Sequence, residues 1–203
     1  MKNKLYTAIG LMSGTSMDGV DVSLIRSDGF NQFINVLDEY FEYSESLRQQ
    51  LIELRNLISS DSDLDLYSTR LNQLEREMTI FHSEIVSKIL LKYEDNIDFV
   101  GFHGQTIFHS SKKKISKQLG DGKLMSQLIK KKVIYDFRQE DIANKGQGAP
   151  LTPIFHFNLS KKIFKNYDIK FPIGFLNIGG IANVTKVFNI SEEFQRSLLA
   201  YDI

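Results

Sequence analysis

Cysteine is absent from all 203 residues. That excludes disulfides, thiolate nucleophiles and Cys-ligated zinc, and it suits a reducing compartment. Net charge is missing too. Twenty-five lysines and arginines balance 25 aspartates and glutamates, so no overall field draws the chain to nucleic acid or to an anionic membrane. No apolar run approaches the ~20 residues of a bilayer span. The first residues set two lysines before a short apolar stretch, but Gly10, Ser13 and Asp18 interrupt it before it reaches signal-peptide length. No low-complexity linker divides the chain. The expectation from these absences is a cytoplasmic protein with neither nucleic-acid nor membrane partner. What is present is an ordinary globular composition, 42% hydrophobic and 25% charged, enough for one large domain or one and a half typical ones.

Along the chain, strand and helix periodicities alternate, which indicates an α/β fold. Residues 6–11 and 20–25 read as strands around a polar turn, and residues 35–43 as a further strand. Leu47, Leu51, Leu54 and Ile58 fall at helical spacing and predict a helix over 45–58. A longer helix follows, capped by Asp61, Ser62 or Asp63, with Leu64, Tyr67, Leu71, Leu74, Met78, Phe81, Ile85 and Ile89 on one buried face. His82 lies beside that line and is given no chemical role. Residues 97–102 predict a buried strand that delivers His103, Gly104, Gln105 and Thr106 at its carboxyl end, the edge where open α/β sheets hold ligands. A short helix over 123–131, a strand over 133–135 and a turn over 146–150 come next. Pro150 is expected in the first turn of a helix running to about Phe164. Residues 171–188 then form a second hairpin with Gly179 and Gly180 at its tip.

The most informative segment is residues 11–21, LMSGTSMDGVD. A hairpin tip with two glycines and three hydroxyls can turn N–H and O–H donors onto a phosphate. Its candidate phosphate-side residues are Gly14, Thr15, Ser16, Met17, Asp18, Gly19, Val20 and Asp21. Asp18, and less directly Asp21, can order the Mg²⁺ that accompanies a nucleotide. An ordinary Ser/Gly turn with a capping aspartate explains the same residues.

Six segments then occur in the order seen in anhydro-N-acetylmuramic acid kinases: GLMSGTSMDGVD (10–21), HGQT (103–106), QLGD (118–121), DFRQED (136–141), GQGAPL (146–151) and LNIGGIANV (176–184). The chain resembles that family from residue 6 to 203, and Tyr201-Asp202 resembles the start of its YDTGPGN-type motif. The resemblance implies an actin-like (ribonuclease-H-like) α/β sugar-kinase fold with a phosphate hairpin heading each lobe and ATP between the lobes. It implies a first lobe over 1–170, essentially complete, and the start of a second over 171–203, its remainder expected beyond Ile203. The implied activity uses ATP and Mg²⁺ to phosphorylate O6 of 1,6-anhydro-N-acetylmuramic acid while water opens the anhydro bridge. By the same resemblance Asp202 is the water-activating base, Gly179 and Gly180 are the second phosphate turn, and His103, Gln105, Thr106 and Arg138 meet the amino sugar. Arg138 can fork onto the lactyl carboxylate or pair with Asp136 or Asp141; His103 can touch sugar or donate to backbone. A homodimer is a further implication. Two other readings stand beside this one: an inactive sugar- or nucleotide-binding fragment, and an actin-like chaperone module. One residue departs from the pattern. Lys145 stands where the family usually has a glycine, and a side chain there is tolerated only if the backbone needs no positive φ.

Overall fold

The computed structural model describes residues 4–30, 32–93, 96–178, 182–191 and 194–203, with the side chains of Gln195 and Asp202 outside the description. Two compact units form, Met1–Gly146 and Gln147–Ile203. The expected division at 170/171 differs from this packing division because the helix before the second hairpin packs on that hairpin's own sheet.

The first unit is built on β1 (Tyr6–Ser13), β2 (Gly19–Ser27) and β3 (Phe33–Glu42), an antiparallel meander of alternating apolar residues. After α1 (Glu45–Leu57), α2 (Asp61–Leu66) and α3 (Ser68–Lys92), the chain re-enters the sheet as β4 (Phe99–Ser110), parallel to β1. Then come β5 (Ile115–Leu119), α4 (Gly122–Ile129), β6 (Val133–Tyr135) and α5 (Phe137–Ala143). The sheet order is β3-β2-β1-β4-β5, with β6 parallel to the first half of β4 and β5 antiparallel to its second half. Ile9, Leu11, Val22, Leu24, Val100 and Phe102 bury one face of the sheet together with Leu51, Leu54, Met78, Ile85 and Ile89 of the helices. A meander followed by two parallel strands, with helices over its core, is the α/β architecture expected for the first lobe.

Several boundaries differ from expectation for identifiable reasons. The long helix is two. Ser60, not Asp61, Ser62 or Asp63, caps α2; its N–H donates to the Asp63 carboxylate at 2.8 Å. Tyr67 then leaves helical ψ before α3 begins. The strand carrying His103–Thr106 does not stop there, because β5 pairs with its continuation. At the change of partner Gly104 adopts φ +72°, and a Cβ on it would lie 2.4 Å from the Leu119 carbonyl oxygen, so the sharp approach needs glycine.

In the second unit α6 (Pro153–Asn166) begins at Pro153 rather than Pro150, since the first helical position is where a missing N–H costs nothing. The strands β7 (Ile173–Asn177) and β8 (Asn183–Val187) form the expected hairpin. A one-turn α7 (Phe194–Ser197) leads into β9 (Leu198–Asp202), which pairs antiparallel with β8. His156 of α6 stacks on Phe175, ring centroids 4.6 Å apart, and meets the Thr185 hydroxyl at 2.9 Å.

Lys145 sits at φ +73°. It closes α5: the Lys145 N–H donates to the Ile142 carbonyl at 3.0 Å and the Gly146 N–H to the Asp141 carbonyl at 2.8 Å. Paired bonds of this kind are a Schellman motif, whose left-handed residue is favoured as glycine. The departure from the family pattern therefore carries backbone strain. Lys145→Gly is expected to stabilise the chain by about 1 kcal/mol, read as a higher urea midpoint with an unchanged m-value.

Candidate functional site

The turn between β1 and β2 is shaped by what lies beneath it. Met17, at φ 55°, is 1% exposed and inserts its side chain into the core, and its N–H donates to the Gly14 carbonyl at 3.2 Å. Val20 is likewise buried, whereas Thr15, Ser16, Asp18 and Asp21 are exposed. Gly19 cannot be replaced without displacement, because a Cβ there would meet the Phe41 carbonyl oxygen at 2.4 Å. Glycines and hydroxyls thus present N–H and O–H groups on a rim whose apolar members face inward.

Both ends of the turn are fastened. The Tyr43 hydroxyl donates to Ser13 Oγ at 2.8 Å, Ser13 Oγ lies 3.0 Å from His82 Nε2, and the Tyr43 N–H donates to the Asp18 carbonyl at 2.9 Å. From β4 the Gln105 amide donates to the Gly14 carbonyl at 2.9 Å. Gln105, expected against the sugar, is fully buried, and among the described residues its Oε1 is the one buried side-chain oxygen or nitrogen without a partner. Ser13, counted from sequence among the three hydroxyls of the tip, is instead buried and bonded inward, and sequence reasoning missed Tyr43 and His82 as members of this site. The only signal was a titratable ring beside the apolar face of α3.

Asp18 carries an exposed carboxylate whose Oδ1 accepts from Ser16 Oγ at 2.6 Å. Among the described residues no group of three or more histidines, cysteines or carboxylates converges. A lone exposed carboxylate on a glycine- and hydroxyl-rich turn fits Mg²⁺, which takes one or two carboxylates and completes its shell with phosphate and water oxygens.

Of the remaining residues expected against the sugar, His103 and Arg138 meet near the end of β6 and Thr106 stands on the β5-paired part of β4. His103 Nδ1 donates to the Gly104 carbonyl at 2.6 Å, and Arg138 Nε donates to His103 Nε2 at 2.8 Å. The His103 ring is therefore a neutral tautomer that orients the arginine. Burial, and next the Arg138 charge, push its pKa down to about 4. Thr106 lies further along β4, its hydroxyl accepting from Gln118 Nε2 at 3.3 Å. A cavity of about 260 Å³ opens beside His103, lined also by Lys117, Gln118, Tyr135, Asp136 and Gln139. That is below the ~300–1,000 Å³ of most ligand pockets. Lys117 pairs with Glu75 at 2.8 Å. Partial burial raises the Asp136 pKa against the opposing pull of Lys117.

In the second unit, Asn177 and Asn183 form the last pair before the hairpin tip, and Asp202 pairs with Asn183 in β9. Gly179 and Gly180 lie outside the described residues, as does the Asp202 side chain. No helix among the described residues is long and apolar enough to cross a membrane.

The model of a family described as anhydro-N-acetylmuramic acid kinase matches residues 6–200. A protein of that name from Pelagibacter ubique (strain HTCC1062) is 52% identical over 194 residues, covering 96% of this chain and 51% of the relative. Its namesake from Rhodopseudomonas palustris (strain ATCC BAA-98 / CGA009) is 40% identical over 190 residues, covering 90% and 50%. A third, from Brucella canis (strain ATCC 23365 / NCTC 10854 / RM-666), is 37% identical over 203 residues, covering 98% and 52%. The chain spans about half the length of the curated relatives it matches.

His82 shares the condition of His103: burial, opposed by the Met78 carbonyl, pushes its pKa down to about 4. An unfolded histidine titrates near 6.5, so below that pH the unfolded chain takes up protons that these folded rings refuse. Stability is accordingly full above about pH 6.5 and is lost as pH falls toward 4, at about 1.4 kcal/mol per unit for each ring. Urea unfolding across that range is expected to show the loss; ring pKa values near 6.5 by NMR titration would contradict it.

Proposed function

The chain belongs to the anhydro-N-acetylmuramic acid kinase family, and on that premise we propose that it carries the phosphate grip and sugar-recognising edge of an ATP-dependent kinase for 1,6-anhydro-N-acetylmuramic acid. The observation that carries this reading is the turn over 14–19, glycine- and hydroxyl-rich, fastened at both ends and set where β1 ends beside Gln105 of β4. Phosphoryl transfer needs positioning and charge neutralisation more than covalent help from the protein. Thr15, Ser16 and the turn backbone supply donors for the phosphates of ATP. Asp18 would hold Mg²⁺, which when bound neutralises phosphate charge.

At the sugar, His103 fixes Arg138 so that its guanidinium can take the lactyl carboxylate, and Thr106 and the cavity beside His103 meet sugar hydroxyls. Asp202, the residue matching the family's base, removes a proton from water as its oxygen bonds to C1. The C1–O6 bond breaks, O6 takes the γ-phosphoryl group, and the phosphorus–oxygen bond to ADP breaks. The products are N-acetylmuramic acid 6-phosphate and ADP, a step of cell-wall recycling in the cytoplasm. The half-length match supports a second reading, in which this chain by itself binds sugar or nucleotide without turnover.

Two measurements separate the readings. A chimera joining this chain to the second half of the Pelagibacter relative is expected to release ADP from Mg-ATP only when the anhydro sugar is present; sugar binding without ADP release would favour the binding reading. In that chimera Asp202→Asn is expected to lower turnover by about 10²–10⁴-fold while sugar affinity stays within about twofold, as befits a base that contributes to chemistry rather than binding. Near-normal turnover would remove Asp202 from the role.

A further inference from the structure

His82 is 0% exposed, in the middle of α3, far along the chain from any motif that suggests chemistry. Burying an imidazole costs desolvation free energy. An apolar side chain of similar volume would avoid that cost, because removing both partners of a buried hydrogen bond is close to neutral. Core stability alone therefore gives no reason for a histidine at this position. The hydrogen bonds around it do.

Their directions can be assigned. The Met78 carbonyl, 2.7 Å from Nδ1, can only accept, so Nδ1 carries the proton. In the neutral ring Nε2 then accepts, and the Ser13 hydroxyl donates to it. That leaves the Ser13 oxygen to accept from Tyr43. One chain of protons runs Tyr43 to Ser13 to His82 to Met78. It joins the β3–α1 junction and α3 to the last residue of β1, immediately before the phosphate turn. Tyr43 also holds the far side of the turn through its N–H on the Asp18 carbonyl, and Gln105 holds Gly14 from β4. Three elements outside the hairpin thus fasten three residues within or bordering six consecutive ones.

We propose that His82 is a positioning residue for the phosphate turn: through Ser13, and together with Tyr43, it fixes the entry of the turn relative to its exit so that the donors of residues 14–19 meet a polyphosphate preorganised. The proposal rests on the reading of that turn as an ATP grip. It gives α3 a part in nucleotide binding without contact between His82 and nucleotide. Preorganised donors are worth more than mobile ones because the ordering cost is met in folding, before the ligand arrives.

The test uses this 203-residue chain, Mg-ATP and the anhydro sugar as separate probes in calorimetry, and three variants. Tyr43→Phe keeps the ring and removes one oxygen; His82→Met keeps volume and removes the acceptor; His82→Gln retains an amide oxygen that can take the Ser13 proton. Tyr43→Phe and His82→Met are expected to weaken Mg-ATP binding about five- to tenfold, with His82→Gln within about twofold of the parent and sugar affinity unchanged in all three. In the nucleotide-free chain, amide exchange over residues 14–19 should quicken in the first two variants while exchange over 85–89 of α3 does not. Should His82→Met fail to fold, Tyr43→Phe decides the matter. Parent and variants binding Mg-ATP equally well would overturn the positioning role alone. A parent chain that binds the sugar but no Mg-ATP would overturn the phosphate reading beneath it.

Discussion

The parallel pairing of β1 with β4 is the constraint on which the rest of the first unit depends. It aligns Ala8 with Phe99 and holds that register to Leu11 beside Phe102, after which a one-residue irregularity sets Ser13 beside Gln105. Residues 91 positions apart in sequence are thereby placed within one hydrogen bond, the Gln105 amide on the Gly14 carbonyl. Because both strands point the same way, β1 gives way to its turn beside the segment of β4 that carries His103 and Gln105. The turn over 14–19 and the His103 segment are neighbours for that reason. Without the irregularity after Leu11, Ser13 would stand beside Gly104 rather than Gln105.

Polar groups inside this core are arranged to remain uncharged. His82 and His103 each donate one ring proton to a backbone carbonyl and receive one hydrogen bond on the other nitrogen, from Ser13 and from Arg138. Such pairing offsets the loss of hydration without placing an ion in a low-dielectric interior. Tyr43 follows the same logic: burial raises its pKa, so its hydroxyl stays protonated and serves as a donor. The site edge tolerates real charge only where exposure or a partner is at hand, as at Asp18 on the rim and Lys117 on Glu75.

Legibility followed the range of the interaction. The helix over 45–58 and the strand over 133–135 were readable because their signals, apolar spacing and a short apolar run, are local. The break at Tyr67 and the continuation of β4 past Thr106 were not readable. The first has no proline or glycine to mark it, and the second depends on β5 arriving to pair with it. Arg138 illustrates the same limit at the site. Its motif marked it, but its position in α5 against His103 of β4 follows from the β4–β6 pairing that precedes the helix. Lys145 is the converse case, where a departure noticed in sequence became intelligible once the left-handed turn after α5 was visible.

By itself the sequence determined the class of fold, the family and the polar residue types of the turn, since periodicity and ordered motifs are written in neighbouring residues. Only the tertiary structure decided that Met17 and Gln105 turn inward and that Tyr43, Ser13 and His82 share one run of hydrogen bonds. Those outcomes depend on strand register and helix packing, which bring together side chains that no local pattern relates.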